Sequence, residues 1–112
     1  MSMEFVRPPK LVAVNAKPDP LEIDLNRTAV IAVDMQNAFM SKGGFFDLMG
    51  YDISCAAGVI QKGNTLIQTA REAGAQIIFL KFSYDPDYST SGGAESPNWY
   101  KDLALATMRD HP

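Results

Sequence analysis

Residues Thr28 to Asp34 read Thr-Ala-Val-Ile-Ala-Val-Asp, a short and nearly unbroken apolar run that ends on an acid. β-Branched residues favour extended backbone. A continuous apolar run, unlike an alternating one, suits a strand covered on both faces, as in a parallel sheet. Residues Ala75 to Phe82 (Ala-Gln-Ile-Ile-Phe-Leu-Lys-Phe) repeat the pattern. Between the two runs, Ala56, Val59, Ile60, Gly63, Leu66, Ile67 and Ala70 recur at intervals of three and four. That spacing predicts a helix from about Ser54 to Ala73 with one apolar face. Asp52 or Ser54 suits its start and Gly74 its end. Strand, helix, strand makes a βαβ unit with an expected right-handed crossover, so the fold class is α/β.

Outward from this unit the chain becomes less regular. Residues 1–24 carry Pro8, Pro9, Pro18 and Pro20, and prolines at this density favour an extended arm. Leu11–Val14 is a candidate short edge strand within it. Ser41–Asp52 holds Gly43, Gly44 and Gly50 and reads as a loop, as does the polar stretch Ser83–Asn98. Trp99–Arg109 is a candidate last helix. Two parallel strands and one helix leave sheet faces and edges unsatisfied, and independent stability generally takes three or more strands. The expectation is the first part of a larger α/β layer fold, or one chain of a complex.

Composition narrows the function classes. The net charge is −3 and the ten basic residues are scattered, against the basic patch of a nucleic-acid binder. The apolar runs are far shorter than the roughly 20 residues of a membrane span, and the first residues hold no apolar signal-peptide core. Neither nucleic acid nor membrane is an expected partner. One cysteine allows no intramolecular disulfide framework and fits a reducing cytoplasm.

Asp34 is the first candidate for chemistry, because ligands of open parallel sheets bind beyond the carboxyl ends of strands. Position alone admits a turn-capping acid, a phospho-accepting receiver domain or a catalytic acid. The haloacid dehalogenase pattern fits less well, since Gln36 stands where it needs a second aspartate.

Asp34-Met35-Gln36-Asn37 behind an apolar strand resembles the opening motif of the isochorismatase-like cysteine hydrolases. The stretches Gly43–Asp52, Gly92–Lys101 and Ala104–Pro112 resemble the ureidoacrylate amidohydrolase branch of that superfamily, which acts in pyrimidine degradation. The likeness runs from about Asp24 to Pro112. It implies a three-layer α/β/α sandwich with a mainly parallel, Rossmann-like sheet, of which residues 25–112 are the N-terminal part. It also implies a Cys-Asp-Lys triad. Asp34 falls on the aspartate, and the lysine and nucleophilic cysteine fall beyond residue 112, in a C-terminal half that this segment needs as partner.

The chemistry of such a triad follows from acid–base properties. A free thiol with a pKa near 8.5 is mostly protonated at neutral pH. A carboxylate within reach takes its proton, and an ammonium stabilises the thiolate for attack on an amide or ureido carbonyl. Cys55 sits at the expected helix start, where the dipole favours a thiolate. The resemblance nonetheless puts the nucleophile elsewhere, and a small buried residue is the plainer reading of Cys55.

The implied substrate pocket draws on Asn37, Phe39, Phe82, Tyr84 and Trp99. Asn37 is suited to hydrogen-bond a carbonyl or ureido group, whereas the aromatics could equally be core. The segment around Phe82 and Tyr84 departs from the amide side chain and tryptophan of the ureidoacrylate branch. Ureidoacrylate, biuret and other N-carbamoyl compounds all stay open as small-molecule substrates. His111 is the one histidine and makes no metal site by itself; neither metal nor cofactor is expected. The resemblance implies a homo-oligomer. The competing reading is a non-catalytic fragment that serves as a binding or interaction module.

Overall fold

The computed structural model describes residues 7–92, 95–98 and 100–110. Its elements run β1 (Leu11–Val14), β2 (Leu21–Asp24), β3 (Ala29–Val33), α1 (Asn37–Met40), α2 (Phe45–Leu48), α3 (Ala56–Glu72), β4 (Gln76–Leu80) and α4 (Tyr100–Asp110). Two 3-10 turns, Leu25–Arg27 and Ser89–Ser91, complete the order. The two strands of the βαβ unit, its helix and the last helix lie within a residue or two of the expected bounds. Leu21–Asp24 was not expected as a strand, and the segment expected as a loop from Ser41 contains α2.

β3 and β4 form a two-stranded sheet. Gln76 donates its N–H to the Thr28 carbonyl (3.1 Å), and Asp34 donates to the Leu80 carbonyl (2.9 Å). Residue numbers rise together along both strands, so the pair is parallel, as the βαβ pattern requires. The expectation of cover on both faces is not met: Ile31, Val33, Phe79 and Leu80 are all at least half exposed. The reason is geometric, since two strands alone cannot wall in both of their own faces.

The chain divides into two compact units. One holds the residues up to Ala32 together with Gln61–Phe79; the other holds Val33–Ile60 and the residues from Leu80 onward. In the first, β1 and β2 pair antiparallel, with Leu11 opposite Asp24 and Val14 opposite Leu21. Asp24 organises the exit from this hairpin. Its carboxylate accepts from the Lys10 N–H (2.9 Å) and the Asn26 N–H (3.0 Å), and its carbonyl accepts from Thr28 Oγ1 (2.6 Å). Leu25, just beyond, is buried.

Helix α3 covers a narrower stripe than its apolar pattern suggests. Ala56 is buried, and Ile60, Gly63, Ile67 and Ala70 are half-buried at alternating intervals of four and three, while Val59 and Leu66 are exposed. The helix ends as Gly74 predicts. Gly74 sits at φ +92°, its N–H reaches the Arg71 carbonyl (3.1 Å), and the Ala75 N–H reaches the Ala70 carbonyl (3.0 Å). This pair of hydrogen bonds is the Schellman arrangement, which needs a left-handed residue at that place. Lys10 Nζ takes up the Ala73 carbonyl (2.7 Å), a favourable cation at a helix C-terminus. At the other end the Asp52 carboxylate accepts from the Ser54 N–H (2.9 Å). The backbone and side chain of Ser54 hold the Asp52 carboxyl below its usual range.

In the second unit α1 and α2 meet through Gly44. A Cβ there would collide with the Asn37 carbonyl oxygen and come within 2.9 Å of those of Ala38 and Ser41. On α4, Thr107 Oγ1 lies 3.0 Å from Met49 Sδ, and Ala104 is buried. Gly44→Ala is therefore expected to destabilise the protein by about 1–3 kcal/mol through overpacking. Gly58→Ala, inside α3 with nothing within 4 Å of the added methyl, is expected to stabilise it by about 0.5–1 kcal/mol. Urea unfolding of the two variants against wild type checks both signs.

Candidate active site

Asp34 is the residue at which the chain leaves the parallel sheet. Its N–H still pairs with Leu80, but its φ is +58°, so the next residue turns out of the strand direction. The Gln36 N–H closes this turn onto the Asp34 carbonyl (2.9 Å). A left-handed conformation is uncommon outside glycine. Aspartate and asparagine tolerate it better than other residues, and such backbone collects at functional sites. The Asp34 side chain is exposed, at the strand's carboxyl end.

Beside this turn, within the second unit, lies a cleft of about 350 Å³. Its walls are largely aromatic, with Phe39, Phe45, Phe82, Tyr84 and Tyr88 among the lining residues. The rings form a chain of contacts. Phe39 and Phe46 stand 4.7 Å apart by centroid, Phe39 and Phe82 6.5 Å, Phe82 and Tyr84 4.9 Å edge-on, and Tyr84 and Tyr88 6.5 Å. Tilted and edge-on pairs at these distances are favourable beyond area burial, which makes the wall a connected surface. Ser83 and Asp85 add polar groups to the rim.

The loop that carries Tyr84 and Tyr88 is held by its own hydrogen bonds. Asp85 N–H donates to Thr90 Oγ1 (2.9 Å), and Tyr88 N–H to the Asp85 carbonyl (2.7 Å). The Asp87 carboxylate accepts from the Ser89 N–H (3.0 Å). Hydrogen bonds from the Ser89 backbone and side chain hold its carboxyl below the usual range.

Of the residues singled out in the sequence, Phe39, Phe82 and Tyr84 come together in this cleft. Asn37 does not line it. It opens α1, and its Oδ1 accepts from Ser41 Oγ (2.9 Å). Trp99 lies outside the described residues. Cys55, expected as a small buried residue, is exposed just ahead of α3, because the covered stripe of that helix begins only at Ala56. Phe45, Tyr88 and Gln36 also line the cleft and were not among the residues expected in the pocket wall. Phe45 opens the single-turn α2, too short for a periodic signal, and Tyr88 sits in an irregular loop, whereas Gln36 lay in plain view two residues after Asp34. Among the described residues no three His, Cys, Asp or Glu side chains gather into a group that could hold a metal ion.

The chain is 47% identical over 104 residues to the ureidoacrylate amidohydrolase RutB of Caulobacter segnis, a match that takes in 93% of this chain and 44% of that protein. The enzyme of the same description from Yersinia enterocolitica is 46% identical over 99 residues (88% and 43%), and that from Stutzerimonas stutzeri 48% over 101 residues (90% and 41%). No protein-family model matches the chain. The chain thus spans less than half the length of the curated relatives it matches. Over about nine-tenths of its length the chain is similar to these ureidoacrylate amidohydrolases. The similarity falls on the N-terminal part of those proteins.

The backbone at Asp34 yields a prediction that does not depend on activity. Asp34→Gly is expected to raise stability by up to about 1 kcal/mol, because glycine relieves the left-handed strain. Asp34→Asn should be near neutral and Asp34→Ala should lower stability by about 1 kcal/mol. Denaturant unfolding of the three variants tests the order Gly above Asn above Ala.

Proposed function

We propose that the complete protein is a cysteine amidohydrolase that cleaves a C–N bond of a small ureido, N-carbamoyl or amide substrate, ureidoacrylate-like in kind. The observation that carries this reading is the 44–48% identity, over about nine-tenths of the chain, to proteins described as ureidoacrylate amidohydrolases. The 104-residue match leaves out too few residues at either end to miss Asp34. In the proposal Asp34 is the acid/base of a Cys-Asp-Lys triad. The cysteine and lysine come from the C-terminal half of the same three-layer α/β/α domain, the natural cover for Ile31, Val33, Phe79 and Leu80. Residues 25–112 are the N-terminal part of that domain, and residues 1–24 are its arm.

The chemistry is balanced on Asp34. Its carboxylate accepts the thiol proton as sulfur attacks the substrate carbonyl. The same proton passes to the departing nitrogen as the C–N bond breaks, and water then clears the acyl-enzyme. The carboxylate ends the cycle as it began. Phe39, Phe82 and Tyr84 offer an aromatic wall for the conjugated part of the substrate, while Asn37, which does not line the cleft, and Trp99 are proposed as substrate-binding residues on the resemblance alone. A role in pyrimidine degradation, a homo-oligomer and a cytoplasmic location complete the proposal.

In the complete protein Asp34→Asn is expected to lower kcat on an N-carbamoyl substrate by about 10²–10⁴-fold with its fold retained, because an amide cannot accept the thiol proton. Cys55→Ser should leave turnover close to wild type. Ammonia-release kinetics on both variants decide the matter: wild-type kcat in Asp34→Asn removes the assignment, and loss of activity in Cys55→Ser moves the nucleophile to this segment.

A further inference from the structure

The geometry points to Gln36 as a positioning residue that splices the Asp34 turn to the aromatic wall of the cleft. Past Leu80, strand β4 loses its neighbour, because the positive φ of Asp34 has already turned the other chain away. The backbone of Phe82 would be left with an unpaired N–H and carbonyl. The Gln36 side chain supplies both partners. Its Oε1 accepts from the Phe82 N–H at 2.8 Å, and its Nε2 donates to the Phe82 carbonyl at 2.9 Å.

A primary amide carries an acceptor and a donor on one planar group, as a peptide unit does. Here one side chain stands in for a strand residue and extends the parallel pairing past its natural end. Two consequences follow for the site. The turn that aims Asp34 is tied at Gln36 to the opposite strand. Phe82, where the cleft wall begins, has its backbone placed and with it the ring that meets Phe39 and Tyr84. Both polar atoms of the Gln36 amide are engaged in this splice, so its part in recognition is to set the wall and the acid in register. Asparagine is one methylene too short for both bonds. Glutamate, once ionised, offers only acceptors and would set a carboxylate against the Phe82 carbonyl.

The kinetic half of this inference rests on the amidohydrolase reading; the backbone half does not. The test uses the complete protein with Gln36→Met and Gln36→Glu. In Gln36→Met, amide exchange at Phe82 should speed up relative to wild type, while exchange in β3 is unchanged. In Gln36→Glu the protonated carboxyl can again accept and donate, so its pKa is raised in the folded state. The stabilisation it brings is then full below the ordinary glutamate pKa of about 4.3 and is lost as pH rises through the raised value. The stability deficit against wild type should therefore shrink as pH falls, whereas a packing defect would be independent of pH.

On N-carbamoyl substrates, misplacement of the wall should raise KM in both variants by on the order of tenfold or more, with a smaller change in kcat than Asp34→Asn shows. Unchanged Phe82 exchange together with a deficit independent of pH would overturn the splice. A wild-type protein inactive on these substrates would instead remove the amidohydrolase reading, and the exchange and pH results would still decide the role of Gln36. An active enzyme whose KM does not move in either variant would confine the splice to stability and overturn its part in the site.

Discussion

Parallel pairing of β3 with β4 cannot be made by a tight turn, because the second strand must begin again at the end where the first began. That return takes a crossover of a dozen or more residues, and here α3 provides it. The two strands then finish at the same end. Asp34 and Leu80, 46 residues apart in sequence, share a hydrogen bond, and Phe82 lies two residues on. The candidate site exists because this constraint collects two strand ends that the sequence keeps far apart. The Schellman end of α3 serves the same purpose, since it releases the chain into β4 at Gln76, opposite Thr28.

Strand ends are also where the hydrogen-bond ladder runs out, and unpaired backbone groups are costly wherever they are shielded from water. The chain meets that problem with local devices. Asp24 receives the amides around the hairpin exit, Asp52 receives the amide ahead of α3, and Lys10 takes a carbonyl at the far end of that helix. At the site end, the Gln36 amide carries out the task for Phe82. Each device is a single polar side chain that meets a backbone group at or near the end of a regular element.

Burial in the chain is thin relative to its apolar content. Among the described residues the buried apolar ones are Leu25, Ala56, Ala75 and Ala104, three of them alanines, while much larger side chains on β3 and β4 stay exposed. Apolar area kept from water is the main favourable term in folding, at roughly 25 cal/mol per Å², and a two-stranded sheet collects little of it. The relatives are more than twice as long as the matched segment. The aromatic cluster from Phe39 to Tyr88 is an extended apolar association inside the second unit, joined through Phe82 to the Gln36 side chain.

By itself the sequence determined the α/β class, the positions of β3, α3 and β4, and the place of Asp34 at a strand's carboxyl end. Each was written in local signals: β-branched apolar runs, three-and-four spacing, a glycine at the helix end, and an acid at the end of a strand. Local signals were silent on Leu21–Asp24, where the strand exists through its pairing with Leu11–Val14 and not through its own propensity. They were misleading on the burial of β3, because composition records that a strand is fit to be covered and not whether anything covers it. Only the tertiary structure decided that Phe39, Phe82 and Tyr84 share a cleft that Asn37 does not line, and that Cys55 is exposed. It alone decided the part of Gln36. The amide is legible as a residue type, but its two partners are the N–H and carbonyl of a backbone 46 residues away. No periodicity encodes that pairing, since it depends on where a left-handed aspartate stops one strand while the other runs on.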